Sequence, residues 1–154
     1  MSGVAFPPNN EGHPGWTVAQ VAGISTTTNA LKDSPPIVLL HIGTNDMTQK
    51  LSGTANQLGQ LIDTIVAALP NSLLVVAQII PIGYMESTVV TYNTAVAAAA
   101  QQRASQGKHV LLVDMNTGFP TTNGYASDNL HPNDATGYPW MGDKWYAVIK
   151  SYLH

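Results

Sequence analysis

The sequence predicts an α/β fold in which short parallel strands alternate with helices. Three short apolar runs, at 37–42, 73–80 and 110–113, have the length and composition of strands that are buried on both faces. Two segments with helical character separate these runs, and a third follows them. Because right-handed crossovers make strands in this order parallel, we expect a doubly wound sheet that helices cover on both sides.

The first half of the chain supplies one strand and one long helix. Residues 1–36 are rich in Gly, Pro, Asn and Thr, and predict an ordered loop with one short helix at 17–24. The nearly continuous apolar run at 37–42 predicts the first strand. Apolar residues then recur at helical spacing over 55–69, until Pro70 ends the helix.

The second half continues the alternation. The run at 73–80 predicts the second strand, and the alanine-rich segment 88–106, with Gly107 just past its end, predicts a helix. The third strand is predicted at 110–113. An amphipathic segment at 143–153 predicts a closing helix.

Length and composition indicate a single domain over residues 1–154, with 44% hydrophobic residues for one core. Six basic and nine acidic side chains give a net charge of −3 and form no basic stripe, which excludes an electrostatic nucleic-acid site. No segment approaches the ~20 apolar residues of a membrane span, so we expect no membrane partner. The absence of cysteine excludes thiol nucleophiles and cysteine-ligated metals.

A first polar cluster, Gly43-Thr44-Asn45-Asp46, follows the first predicted strand. Ligands of such sheets lie beyond the carboxyl ends of the strands. Gly43 allows the backbone to approach a ligand closely, and the Asn45 amide can donate a hydrogen bond to a developing oxyanion. Alternatively, the four residues only form a turn in which Asn45 and Asp46 satisfy their own backbone.

A second polar cluster, residues 128–134, precedes the closing helix. Asp128 stands three residues before His131, so its carboxylate can fold back to accept the Nδ1 proton and leave Nε2 free as a general base. Pro132 keeps His131 out of a helix interior. Alternatively, Asp134 caps the last helix and His131 is an ordinary loop histidine.

A third cluster, Glu-Gly-His-Pro-Gly-Trp-Thr at 11–17, lies in the amino-terminal loop. Gly15 can present a backbone N–H to a site, and Trp16 can form its wall. The simpler alternative is a Gly/Pro turn beside a packed tryptophan.

The remaining polar and aromatic residues give weaker signals. His41 lies inside an apolar strand, and we expect a core histidine with a hydrogen-bond partner. Tyr138 and Trp140 are close in sequence to the second cluster, although such aromatic residues more often pack than bind sugars. No two histidines have metal-ligand spacing, so no metal is expected, and calcium held by Asp128 and Asp134 is the weaker alternative.

Together, the three clusters resemble the SGNH (GDSL-type) hydrolase family, and most closely its carbohydrate esterase family 3, the acetylxylan-esterase-like branch. The matching stretches are 11–17, 38–47 and 128–134, the last continuing to Gly137-Tyr138 and Trp145-Tyr146. Their order and separation fit the family over nearly the whole chain.

The resemblance implies a flavodoxin-like three-layer α/β/α fold that hydrolyses esters, often acetyl groups on plant polysaccharides, without a cofactor. By motif position, Gly15 would offer an oxyanion N–H and Asn45 a side-chain donor to the same oxygen. His131 would be the general base and Asp128 would orient it, as in a serine-hydrolase triad. The residues expected to line the substrate site are Gly43, Trp16 and Tyr138.

The sequence departs from the family pattern at its front. It holds no Gly-Asp-Ser or Gly-x-Ser-x-Gly motif, and it begins at what would be the loop after the second family strand. We therefore expect the first two strands of the family sheet to be missing from this truncated domain. Their absence would leave the edge of the strand at 37–42 open, which predicts a homo-oligomer that pairs through this edge.

The nucleophile is unidentified in the sequence. None of the nine serines stands in a recognisable nucleophile turn, and Ser2, Ser25 and Ser127 offer only proximity in sequence to other features. Direct activation of water by His131 is the alternative, since an oxyanion hole with binding alone retains ~10³–10⁴-fold catalysis.

The leading hypothesis is an ester hydrolase that acts on small acyl esters or acetylated carbohydrates. The competing hypotheses are an SGNH-shaped carbohydrate-binding or self-assembling domain without catalysis, and a structural fragment without a function of its own. Localisation is open: the first four residues lack the segments of a signal peptide, while the resemblance and the lysine-poor composition lean toward secretion.

Overall fold

A computed structural model describes residues 10–27 and 31–153, in which three parallel strands form one sheet between helices. The strand order is β1-β2-β3, and Ile37 pairs with Leu73 and Leu74 with Val110. The elements in chain order are α1 (Val18–Thr27), β1 (Ile37–Leu40), α2 (Thr44–Thr48), α3 (Thr54–Ala68), β2 (Leu73–Ala77), α4 (Glu86–Ser105), β3 (Val110–Val113), α5 (Gly137–Ile149) and a 3₁₀ turn (Lys150–Tyr152).

Most predicted elements are confirmed, with three differences. The three strands are present, but β1 and β2 end before the apolar runs do. Helix α2 forms where only a turn is predicted. Helix α5 begins at Gly137, six residues before the predicted start. Pro139 is tolerated in its first turn, because the N–H that proline lacks would have no acceptor within the helix there.

The α/β architecture places one apolar layer on each side of the sheet. On one side, α1, α3 and α4 enclose a core that includes Val18, Leu58 and Ile62. On the other side, α5 and the loop before it cover a smaller cluster that includes Val75 and Met115. Strand β2 is central, so all five of its residues are buried.

Strand β1 differs from the prediction that every strand is buried on both faces. It lies at the edge of the three-stranded sheet and has only β2 as a paired neighbour among the described residues. The Leu39 side chain is therefore 45% exposed, whereas Leu40 points into the core. None of the described helices is both long enough and apolar enough to cross a membrane.

Candidate active site

The third cluster forms a tight surface turn that presents Gly15. The Trp16 N–H donates to the His13 carbonyl at 3.2 Å, with Pro14 and Gly15 between them. Gly15 has φ +79°, which fits the third position of a type II turn and favours glycine there. The His13 ring stacks on Trp16 at a centroid distance of 3.9 Å. Gly15 is exposed, and its N–H donates to no described residue.

The first cluster begins at Gly43, which is buried directly against Tyr92 of α4. Gly43 has φ +119°, and a Cβ at this position would overlap the Tyr92 phenol. The Tyr92 hydroxyl donates to the Ile42 carbonyl at 2.9 Å, one residue earlier. Only glycine therefore fits here, and Tyr92 fixes the backbone that leads into α2.

Two long-range hydrogen bonds join the first cluster to the third cluster and to the start of α1, which follows it. The Asn45 Nδ2 donates to the Trp16 carbonyl at 2.9 Å. The next side chain, Asp46, accepts from the Val18 N–H at 3.0 Å through Oδ2. These bonds exclude the alternative that the cluster forms only a local turn. They also hold Asn45 beside the segment that carries Gly15.

Asp46 is a fully buried carboxylate, with 0% exposure. Its Oδ1 also accepts a long hydrogen bond, at 3.4 Å, from the Thr54 hydroxyl. Burial raises the pKa of Asp46, and its hydrogen bonds oppose that rise. Burial is the larger cause, and the negative charge of Asp46 the smaller cause, of a Tyr92 pKa well above its usual range.

The second cluster brings Asp128 and His131 together, as their spacing predicts. The His131 Nδ1 lies 2.5 Å from Asp128 Oδ2, and Asp128 Oδ1 accepts from the Leu130 and His131 N–H groups at 3.0 Å each. The His131 side chain is 66% exposed. The hydrogen bonds with the His131 side chain and the two backbone groups hold the pKa of Asp128 well below its usual range.

Asn133 organises the loop that holds this pair, a role that sequence reasoning missed. Its Nδ2 donates to the carbonyls of Asn123 and Tyr125, and its Oδ1 accepts from the N–H groups of Thr136 and Gly137 at the start of α5. The signal in the sequence is an asparagine four residues before the helix start at Gly137. The alternative that Asp134 caps this helix is wrong, because Thr136 is at the N-cap position and the N–H groups of Thr136 and Gly137 donate to Asn133 instead.

The Asp128–His131 loop is also tied to the rest of the fold. The Tyr125 hydroxyl donates to the Pro81 carbonyl at 2.7 Å, beyond the end of β2. The Leu130 side chain packs against the core cluster that contains Val18 and Met47. No hydrogen bond between described residues links His131 directly to Asn45 or to the 13–16 turn.

The other predicted site residues occupy less defined positions. Tyr138 lies in the first turn of α5 and is 50% exposed. The Ser25 hydroxyl donates to the Ala22 carbonyl inside α1, and Ser127 is exposed beside Asp128. Ser2 lies outside the described residues.

His41 departs from its expected environment. Its Nε2 is buried as expected, but that atom has no hydrogen-bond partner among the described residues. Burial lowers the pKa of His41 to about 4, so the ring is neutral at pH 7.

A model of the GDSL-like lipase/acylhydrolase family matches residues 4–138. The chain belongs to this family. It is 30% identical to a multidomain esterase of Ruminococcus flavefaciens, over 97% of its own length and 22% of that protein. It spans 22% and 52% of the lengths of two curated relatives that it matches.

Solved structures of carbohydrate esterases share the fold of this GDSL-family chain. A family 3 carbohydrate esterase of Clostridium thermocellum is 32% identical, with a TM-score of 0.83 over 94% of this chain and 70% of that one. A family 3 carbohydrate esterase of Talaromyces cellulolyticus is 26% identical, with a TM-score of 0.79 over 95% and 74%. The predicted resemblance and the predicted SGNH-type fold are thereby confirmed.

Proposed function

We propose that this chain forms the base and oxyanion-binding parts of a carboxylic ester hydrolase for small acyl esters or acetylated carbohydrates. Family membership and the fold shared with carbohydrate esterases support this function. The observation that carries it is the Asp128–His131 contact, which orients an exposed imidazole.

His131 acts as the general base in this proposal. Asp128 remains ionised, since it accepts three hydrogen bonds, and it favours the tautomer in which Nδ1 donates to it. The His131 Nε2 is then left as an acceptor for the proton of an attacking hydroxyl. The same nitrogen returns that proton to the leaving alcohol.

The Gly15 N–H and the Asn45 amide stabilise the carbonyl oxygen as it gains negative charge. Asn45 uses one amide hydrogen on the Trp16 carbonyl, which orients the side chain, and keeps the second for the oxyanion. Each such donor typically contributes 10²–10³-fold in kcat. Trp16 and Tyr138 form the walls against which the ester lies, and the buried Gly43 holds the backbone that leads to Asn45.

The test is hydrolysis of p-nitrophenyl acetate by the wild type and His131→Ala, each with and without a serine-reactive phosphonate. We expect His131→Ala to lose about 10²–10⁴-fold in kcat. The exposed residue His109, which precedes β3 at the opposite end of the sheet, is the matched control, and His109→Ala should retain activity. Equal turnover by wild type and His131→Ala would overturn the proposal.

The phosphonate identifies the attacking hydroxyl. Labelling of one serine, located by mass spectrometry, would assign the nucleophile to that residue. Turnover that depends on His131 but ignores the phosphonate would assign attack to water, which an oxyanion hole and a base support at a reduced rate.

A second candidate function is binding of carbohydrate without hydrolysis. The exposed aromatic rings of Tyr138 and Tyr84 favour it, because such rings offer an apolar face with a polar tip. Binding of acetylated xylo-oligosaccharides that persists in His131→Ala, with no product released by the wild type, would support this alternative.

We also propose that chains pair through the edge of β1. Leu39 is 45% exposed on this strand, and an open edge of a sheet is a template for pairing. Light scattering at micromolar concentration should show a dimer or larger assembly that Leu39→Lys dissociates. Val90 is 51% exposed on α4, and Val90→Lys is the control. A monodisperse wild-type monomer would overturn this proposal.

A further inference from the structure

Asp46 is the one buried carboxylate of the described residues, and the proposed chemistry does not use it. None of the ion pairs between described residues includes it. Its partners are instead two neutral donors, the Val18 N–H and the Thr54 hydroxyl. A buried charge without a cation is costly, so its retention needs a specific structural role.

The Val18 N–H belongs to the first turn of α1, where helical N–H groups lack intrahelical partners. Thr17 and Gln20 already form a reciprocal capping pair there: the Thr17 N–H donates to Gln20 Oε1 at 2.9 Å, and the Gln20 N–H to Thr17 Oγ1 at 3.4 Å. Asp46 adds a carboxylate from 28 residues away in sequence, at the helix end that favours negative charge.

Asn45 and Asp46 therefore hold the 16–18 segment at two points. Asn45 binds the Trp16 carbonyl, and Asp46 binds the Val18 N–H two residues further on. Gly15 immediately precedes this segment, so both bonds determine where its N–H lies relative to the Asn45 amide. A displacement of about 1 Å in such a geometry costs on the order of 10²-fold in rate.

We propose that Asp46 is a positioning residue that sets the distance between the two oxyanion donors, Gly15 and Asn45. It acts through the start of α1 and touches no substrate. This inference rests on the proposed esterase function, and its test includes a measurement that does not depend on catalysis.

The variants are Asp46→Ala, which removes both hydrogen bonds, and Asp46→Asn, which retains them. In Asp46→Asn, Oδ1 can still accept from Val18 while the amide donates to the Thr54 oxygen. Val96→Ala is the stability control, because Val96 is fully buried in α4 and its side chain takes no part in the hydrogen bonds of Asn45 and Asp46.

With p-nitrophenyl acetate, we expect Asp46→Ala to lose about 10²-fold in kcat with little change in KM, and Asp46→Asn to recover most of it. Val96→Ala should retain kcat below its melting temperature. An unchanged kcat in Asp46→Ala, or a loss that Val96→Ala reproduces, would overturn the inference.

Backbone and side-chain amide NMR provides the second measurement. Asp46→Ala should speed hydrogen exchange at Val18 and shift the Asn45 Nδ2 resonances, while exchange in β2 and α4 stays slow. If the wild type hydrolyses no ester, the esterase proposal fails and this measurement alone decides the positioning role. Unchanged Asn45 resonances in Asp46→Ala would then overturn it.

Discussion

The two parts of the proposed site are held in place by different kinds of interaction. The oxyanion side depends on hydrogen bonds between residues 28, 29 and 50 positions apart, made by Asp46, Asn45 and Tyr92. At the catalytic pair itself, the base side depends on bonds within three residues, all made by Asp128, in an exposed loop that Asn133 and Tyr125 anchor to the fold. Substitutions on the oxyanion side should therefore alter folding and catalysis together, whereas those of Asp128 or His131 should alter catalysis alone.

The largest expected effect is on the base side, where Asp128→Asn should lower kcat by about 10⁴-fold. The amide no longer favours the tautomer that leaves Nε2 as the base. Kinetics with p-nitrophenyl acetate measure the loss, and thermal unfolding should show a melting temperature close to that of the wild type.

Asp134→Asn is the control for this prediction, because Asp134 is exposed in the same loop and makes no hydrogen bond with Nδ1 of His131. A large fall in the melting temperature of Asp128→Asn would contradict the expectation that this base-side substitution alters catalysis without altering stability.

On the oxyanion side, Gly43→Ala should destabilise the fold by about 2–5 kcal/mol, since it combines a strained φ with overlap against Tyr92. Gly118 shares a positive φ, at +79°, but a Cβ there meets nothing within 4 Å. Gly118→Ala should therefore cost only about 1 kcal/mol. Urea unfolding measures both, and equal losses would contradict the close contact with Tyr92.

The buried ring of His41 predicts a pH dependence of stability. Its pKa is about 4 in the folded protein, whereas an unperturbed histidine has a pKa of 6.5, so the unfolded state binds the proton more readily between pH 4 and 6.5. Stability should fall as pH drops from 6.5 to 4, by about 3 kcal/mol in total.

Urea unfolding of wild type and His41→Leu at several pH values tests this dependence. The difference in free energy between the two proteins should change steadily over that range. His109→Leu controls for the removal of a histidine, and parallel pH profiles for wild type and His41→Leu would contradict the burial of this ring.

The smallest effect is expected for Tyr92→Phe, which removes the hydrogen bond to the Ile42 carbonyl and leaves the ring in place. The loss of one buried hydrogen bond should cost about 1–2 kcal/mol. Urea unfolding measures it, and we also expect a lower kcat, because the backbone leading to Asn45 loses a contact. A destabilised variant with unchanged kcat would show that this contact serves stability alone.

How much the sequence predicts depends on whether an interaction is local. The continuous apolar run of β2, the helical periodicity of α3 and the alanine-rich composition of α4 identify these elements, because each signal lies in the element's own residues. The Asp128–His131 contact is equally local, and its three-residue spacing is sufficient to predict it.

Interactions between distant segments are not predictable in this way. Nothing near Asp46 indicates that its carboxylate binds Val18, and nothing near Tyr92 indicates that its hydroxyl binds Ile42. The exposure of Leu39 follows from the position of β1 at the sheet edge, which the departure from the family pattern predicts and the apolar run at 37–42 alone does not. The early start of α5 depends on Asn133, whose side chain satisfies the first N–H groups of the helix.

The most direct test of the account asks whether the two sides act on the same ester carbonyl. The measurement is kcat and KM for p-nitrophenyl acetate with Asn45→Ala and His131→Ala, beside His109→Ala. We expect a loss of at least about 10²-fold in kcat for both site variants, with KM nearly constant and His109→Ala like the wild type. Wild-type kcat in Asn45→Ala, with loss in His131→Ala alone, would contradict a site shared by the two sides.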